Sequence, residues 1–265
     1  MTKTLLILTA VILFIPNLLD INLFKEKVFN QKEQFDVGLG RLNSLPKLSE
    51  YIDSLARESK VKAGSFAYVS QISNVVRRRF FHGYSHFSLN ENWIAAVSGK
   101  LIEQGLGTKV QPGTILNNPN AACSQQAIVM MALLRNKNIP YRHLGFDHHY
   151  ALDVLIAKKW YFFDPNMEPV MTQQDRNEDH WKYQGDSLKQ YYKSWPAAHV
   201  NLIFGNNRAP LKGAINEVPA PNARLYQATA GILSKTIWIL PLLLLYLHSR
   251  RKSAASIPGG NLATA

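Results

Sequence analysis

The chain has a single thiol. Cys123 is the only cysteine among 265 residues, so no intrachain disulfide staples the fold. Acidic residues are scarce as well: 18 Asp and Glu against 30 Lys and Arg leave a net charge of +12. That balance suits anionic lipid headgroups, acidic polysaccharide or a cell-envelope polymer. No nucleic-acid-binding motif accompanies it, so nucleic acid is not an expected partner. Internal repeats and low-complexity linkers are absent, which excludes a solenoid. No apolar run reaches the uninterrupted ~20 residues that span a bilayer.

Two shorter apolar stretches are nevertheless present. Leu5 to Leu19 follows Lys3, and no small-residue cleavage site comes after it. An uncleaved anchor is expected over residues 1–24 in preference to a removed signal segment. The second stretch runs from Ala228 to Leu247, with Ile237–Leu247 as its core and Lys235 placed to snorkel. It is expected to form a transmembrane helix over 226–248. His248-Ser249-Arg250-Arg251-Lys252 follows, and basic flanks stay in the cytoplasm. Residues 249–265 then form a basic, disordered cytoplasmic tail. Residues 25–225 form one domain facing the periplasm or the outside of an inner membrane. About 200 residues are enough for one real core. A lone thiol kept in an oxidising compartment is a hazard unless it has a use.

Cys123 lies where a polar loop, Asn117-Asn118-Pro119-Asn120, meets a long apolar-periodic helix. A helix N-terminus offers unpaired N–H groups and partial positive charge, both of which favour a thiolate. Downstream stand His149 and Asp164, the residue types that would activate it. His149 opens a strand to Ile156, Ala157-Lys158-Lys159 is a short turn, and Trp160 to Asp164 is a second strand stopped by Pro165. A two-residue loop would pair Ala157 with Trp160, and a four-residue loop Leu155 with Trp160. Either register puts His149 and Asp164 on one face. The longer loop makes them diagonal neighbours, with Asp164 opposite Ala151. His148 must point the other way and is read as exposed or capping. Zinc is not expected at His143, Asp147, His148 and His149, because the spacing is not a usual ligand pattern. No cofactor is expected.

Helix-start Cys123, Ile139-Pro140-Tyr141-Arg142, His149 with Asp153 four positions on, Trp160 and Asp164-Pro165 together resemble the transglutaminase-like superfamily of papain-type thiol enzymes. The resemblance covers about residues 115 to 170. It departs from the family's habit at Ala151, where a bulky aromatic is frequent, and at Asp153, where Glu is commoner. It implies Cys123 as nucleophile, His149 as general base and later acid, and Asp164 as the orienting group. The implied fold is α+β, a papain/transglutaminase-like core with helices packed on an antiparallel sheet, here flanked by transmembrane helices. The implied substrate is an amide bond in a protein, peptide or envelope polymer, cleaved or transferred through an acyl-enzyme. A catalytically silent binding or assembly module for an envelope polymer or membrane partner is the alternative.

The remaining chain agrees with that class. Helical periodicity marks residues 45–60, 65–80 and 91–104 ahead of Cys123. Arg77-Arg78-Arg79 followed by Phe80, Phe81, His82, Tyr84 and His86 is either an anion grip or a capped helix end with a buried aromatic turn. Arg77, Arg78, Arg79, Tyr84 and Trp160 are the substrate-binding candidates. The Cys123 backbone N–H is the expected oxyanion donor, with Asn117, Asn118 or Asn120 adding a side chain, Asn120 foremost. Gln125 and Gln126 are expected on the helix, one exposed and one packing. Ser187 to Trp195 reads as a short amphipathic helix, and residues 205–222 as extended or irregular.

Overall fold

The computed structural model describes residues 2–25, 29, 34–181, 185–206 and 208–255. Its helices in chain order are α1 (Thr2–Phe14), α2 (Leu45–Glu58), α3 (Phe66–Arg79), α4 (Leu89–Leu101), α5 (Gln104–Gly107), α6 (Pro112–Ile115), α7 (Cys123–Asn136), α8 (Glu178–Trp181), α9 (Gly185–Leu188), α10 (Ala197–Phe204), α11 (Pro221–Thr236) and α12 (Ile239–Ala255). Four strands, β1 (Tyr141–Phe146), β2 (His149–Ile156), β3 (Lys159–Phe163) and β4 (Leu211–Lys212), form one antiparallel sheet in the order β3-β2-β1-β4. The protein is therefore α+β. The chain divides into two compact units.

The larger unit comprises residues 26–85 and 109–221. Serines start its first long helices: Ser44 accepts from the Lys47 N–H and Ser65 from the Tyr68 N–H. Apolar positions at helical spacing bury Leu48, Ile52 and Ala56 of α2 and Val69, Ile72 and Val76 of α3. These pack with Ile128, Met131 and Leu134 of α7 against Tyr141, Leu152, Val154, Tyr161 and Phe163 on one face of the sheet. The other face carries Leu144, Ala151 and Phe162. It is covered by Met167, Leu188, Tyr192, Val200, Ile203 and Phe204.

The hairpin takes the longer of the two expected registers, with Leu155 opposite Trp160 and Leu152 opposite Phe163. Continuing it sets Asp164 opposite Ala151. Ala157 and Lys158 turn the chain at φ 50° and 66°. Positive φ at both central residues is what a twist-matched type I′ hairpin turn requires, although neither residue is the usual Asn or Gly. The β1–β2 turn is two residues, Asp147 and His148, with His148 exposed at φ 59°. β1 itself has no alternating pattern in sequence, because both its faces are half covered.

The smaller unit gathers residues 1–25, 86–108 and 222–265. The helix expected over 91–104 is thus α4, which belongs here and ends at Leu101. A buried polar network joins the pieces. Asn92 Nδ2 donates to the Gln227 carbonyl at 3.0 Å, and Ser234 Oγ donates to Asn92 Oδ1 at 3.0 Å. Asn17 Nδ2 and Trp93 Nε1 both donate to the Ser234 carbonyl. Lys235, expected to snorkel, is exposed and donates to the Asn90 carbonyl. α4 lies so close to α5 that a Cβ on Gly99 would stand 2.5 Å from Gly107 N.

Among the described residues no single helix is long and apolar enough to cross a membrane. The stretch expected as one helix over 226–248 is broken between α11 and α12. The two pass the length and composition test only as a pair bent by 47°. Pro241 supplies a reason for the break: it has no N–H to give to the Ile237 carbonyl. Residues 249–255 are helical, whereas a disordered tail was expected there; 256–265, with Pro258-Gly259-Gly260, lie outside the described residues. The helix expected over 187–195 is likewise interrupted, as α9 followed by a 3-10 turn over Lys189–Tyr191.

Candidate active site

Cys123 is the first residue of α7, and its N-cap is Ala122 in extended backbone. Alanine cannot cap, so no side chain occupies the first-turn N–H groups there. The Cys123 and Ser124 N–H groups have no intrahelical acceptor either. Instead Gln125 turns back over the helix start. Its Oε1 accepts from the Ala122 N–H at 3.2 Å and the Ser85 N–H at 2.9 Å. Its Nε2 donates to the Ser85 carbonyl at 2.9 Å and the Lys109 carbonyl at 2.8 Å. Gln126 Nε2 donates to the Ala121 carbonyl at 2.9 Å. Both glutamines are 1% exposed, so the expectation that one faces solvent fails. They hold the thiol-bearing turn against its neighbouring loop.

That loop is residues 80–85. It runs parallel to residues 119–121 through Phe81 N–H to Pro119 O at 3.1 Å and Ala121 N–H to Phe81 O at 3.0 Å. Asn120 Nδ2 donates to the Tyr84 carbonyl at 2.8 Å and the Gly83 carbonyl at 3.4 Å. Both amide hydrogens of Asn120 are thereby spent, so it is not the oxyanion donor; it secures the loop. Tyr84 comes to rest beside the thiol, half exposed, with its hydroxyl hydrogen-bonded to Ser124. Burial, then the neighbouring Cys123 and Tyr150, push its phenol above the ordinary value.

His149 is 2% exposed and Asp164 fully buried. His149 Nε2 lies 2.7 Å from Asp164 Oδ2. Its side chain is also hydrogen-bonded to Cys123, which leaves Nδ1 as the nitrogen facing sulfur. Burial opposes a charged imidazole. The Asp164 carboxylate, its hydrogen bond and the contact with Cys123 outweigh burial and raise His149 to about 10. Asp164 moves the opposite way. Burial pushes it up, but His149, the Met167 N–H and the Tyr192 hydroxyl hold it below the usual carboxylate range. Its Oδ1 accepts from the N–H groups of Asn166 at 3.1 Å and Met167 at 2.9 Å, and Tyr192 Oη donates to Oδ2 at 2.8 Å. The structure thus brings Cys123, His149 and Asp164 together.

The other candidates scatter. Arg79 is 2% exposed, and its guanidinium donates to the carbonyls of Gly40, Leu42, Leu116 and Asn118. It is a structural tie between segments, unavailable to substrate. Burial lowers it to about 10, so it keeps its charge at neutral pH. Arg78 pairs with Asp36 at 2.7 Å on the surface. Arg77 donates to Asn74 Oδ1, and burial lowers its ordinary value. The Glu168 and Asp164 carboxylates act against that lowering, and no contact joins Arg77 to Cys123 among those described. Trp160 stacks under the Arg142 guanidinium at 4.3 Å, four residues and about 13 Å along β3 from Asp164. Arg142 in turn binds Asp153 at 2.9 Å and Glu178 at 2.6 Å. Asp153 is therefore a sheet ion pair outside the site.

Sequence reasoning missed Gln125 and Tyr192. A glutamine at the third position of a helix is a capping signal, and it was legible for Gln125. Tyr192 is 28 residues from its partner and had no local signal. Among the described residues no group of three or more His, Cys, Asp or Glu could hold a metal ion. Comparisons with protein-family models, with curated proteins and with solved structures each returned no match.

Proposed function

We propose that this chain is a membrane-anchored, transglutaminase-like thiol enzyme with a papain-type core, facing away from the cytoplasm and acting on amide bonds through Cys123. The observation that carries the reading is the hydrogen-bonded line from Cys123 through His149 to Asp164, assembled from a helix N-terminus and two strands. Asp164 fixes the Nε2–H tautomer and sustains the imidazolium. The imidazolium and the first-turn N–H groups favour the thiolate form of the sulfur. The thiolate attacks the substrate carbonyl, forming a C–S bond and an oxyanion that the Cys123 N–H receives. As the C–N bond breaks, the Nδ1 proton passes to the departing amine. Neutral His149 then takes a proton from water, which attacks the thioester and restores the thiolate. An amine in place of water would give acyl transfer. Hydrolysis is favoured because water needs no second binding groove.

The membrane part of the reading rests on apolar side chains left exposed in the smaller unit. Leu5, Ile12 and Leu18 are 62%, 58% and 68% exposed, and Leu240 and Leu243 of α12 are about half exposed. Patches of this kind mark membrane or partner contact. The bent α11–α12 pair and the basic residues from Arg250 onward add length and orientation. A reporter fused after Lys252 tests the orientation: cytoplasmic activity is expected, and activity on the outer side reverses the topology.

The enzyme reading is tested by iodoacetamide alkylation of Cys123 at neutral pH, followed by mass spectrometry. His149→Ala is expected to slow labelling by at least about tenfold. Equal rates would reject the pair. The second reading, a silent envelope-binding module, is favoured by the near-complete burial of Cys123 (6%) and His149 (2%). Full function in a Cys123→Ser strain would establish it.

A further inference from the structure

We infer that Tyr192 is a positioning residue of the same site: its hydroxyl shares Asp164 Oδ2 with His149 Nε2, fixing the carboxylate and limiting how hard it pulls on the imidazole. The inference rests on the Cys123–His149–Asp164 reading above. Both contacts are short, 2.7 Å from His149 and 2.8 Å from Tyr192, and they fall on one oxygen. Oδ1 is taken by two backbone N–H groups. A carboxylate offers about four acceptor positions, and here all are filled, so Asp164 has neither rotational slack nor an unused lone pair.

The chain builds a separate layer to deliver this hydroxyl. Tyr192 is 1% exposed and packs on Phe204 at 4.9 Å between ring centroids, while Phe204 stands edge-on to His149 at 6.3 Å. The Val170 N–H donates to the Tyr191 carbonyl, and Trp195 Nε1 donates to the Met167 carbonyl. The segment that carries Tyr192, between the 3-10 turn and α10, is thus tied to the residues that follow Asp164. Burial, then the Asp164 charge, keep the phenol well above its ordinary value. It therefore remains a donor wherever the site could work. The other ionisable groups that act on this carboxylate or its direct partners are His149, Cys123, Glu168, Arg176 and Arg77. Glu168 is itself bound by Arg176 and Ser73. Among these, Tyr192 is the neutral group that touches the oxygen His149 uses.

A buried tyrosine needs a partner in any case, so the test must read more than stability. The full chain is produced in detergent with [13Cε1]histidine, and His149 is assigned as the signal lost in His149→Gln. In the wild type its titration midpoint is expected far above the ordinary imidazole value, near about 10. Tyr192→Phe removes one donor from Oδ2, strengthens the pull on His149, and is expected to raise the midpoint by about half to one unit, a three- to tenfold change. 3-Fluorotyrosine at position 192 keeps the shape but is the stronger donor, so it is expected to lower the midpoint. That variant carries the test if Tyr192→Phe does not fold. A wild-type midpoint near the ordinary value would sink the underlying ion pair. A high wild-type midpoint, unmoved or moved with the opposite sign by the Tyr192 variants, would overturn the Tyr192 inference alone.

Discussion

Alkaline pH should weaken the larger unit through His149. Its imidazole is raised from 6.5 to about 10 by the buried Asp164 contact. A raised folded value means that the native state holds a proton the unfolded chain has lost. The associated stabilisation is complete below about 6.5 and disappears as pH rises through the folded value. Inside that window the slope is about 1.4 kcal/mol per pH unit for one proton. The total is on the order of a few kcal/mol, because burial already opposes the charge and the pair is shared with Asp164. The experiment is urea unfolding followed by tryptophan fluorescence, at several pH values between 7 and 9, for Cys123→Ser with and without His149→Gln. The serine background removes the proton that a Cys123 thiolate releases in the native state, which would otherwise cancel the one His149 holds. Taking the difference removes titrations common to both chains. It should shrink by roughly 1.4 kcal/mol for each unit of pH. A difference that stays constant across the window would refute the charged imidazole and the argument built on it.

Other outcomes follow from single contacts. Asp164 is held below the usual carboxylate range, so its contribution is present above that range and lost on acidification through the lowered value; Asp164→Asn should flatten the acid limb of the unfolding profile. Gln125→Leu strands buried backbone groups at Ala122, Ser85 and Lys109 and should cost about 3 kcal/mol in denaturant unfolding. Arg79→Ala leaves four carbonyls without their donor and should cost about 3 kcal/mol or more, whereas Arg78→Ala breaks only an exposed pair and should cost under about 1 kcal/mol. Lys158→Gly relieves a positive φ in the hairpin turn and should raise stability by about 0.5–1 kcal/mol.

What the sequence revealed divides by the range of the interaction. The helices over 45–58 and 66–79 were visible because each writes its buried face at helical spacing and begins at a serine cap. That over 123–136 was visible because its apolar run is long and free of Pro and Gly, although it is buried nearly all round. The β2–β3 hairpin was visible because both runs are β-rich and the turn is short. Strand alternation put His149 and Asp164 on one face, while the register that makes them neighbours was open between two loops until the strand pairing was seen. β1 was hidden because Tyr141 to Phe146 shows no apolar alternation, one residue being buried on each face, and residues 86–108 gave no sign of joining the terminal helices. Their ties, Asn92 with Gln227 and Ser234, span more than 130 residues. The arginine run misled for a related reason: clustered charge looks like a ligand grip, yet Arg79 finds its acceptors in carbonyls 37 to 39 residues away. Asn120 was expected as an oxyanion donor, and only the neighbouring loop shows that its donors are already used.

The central claim is that Cys123 forms an acyl-enzyme with help from His149. Its most direct test is to mix the full chain with p-nitrophenyl acetate, record the first turnover of p-nitrophenol, and quench for peptide mass spectrometry. The account predicts a burst approaching one equivalent, one acetyl group on the peptide containing Cys123, and loss of both in Cys123→Ser and in His149→Ala. No burst from the wild type, or acetylation that survives in His149→Ala at the wild-type rate, would contradict it.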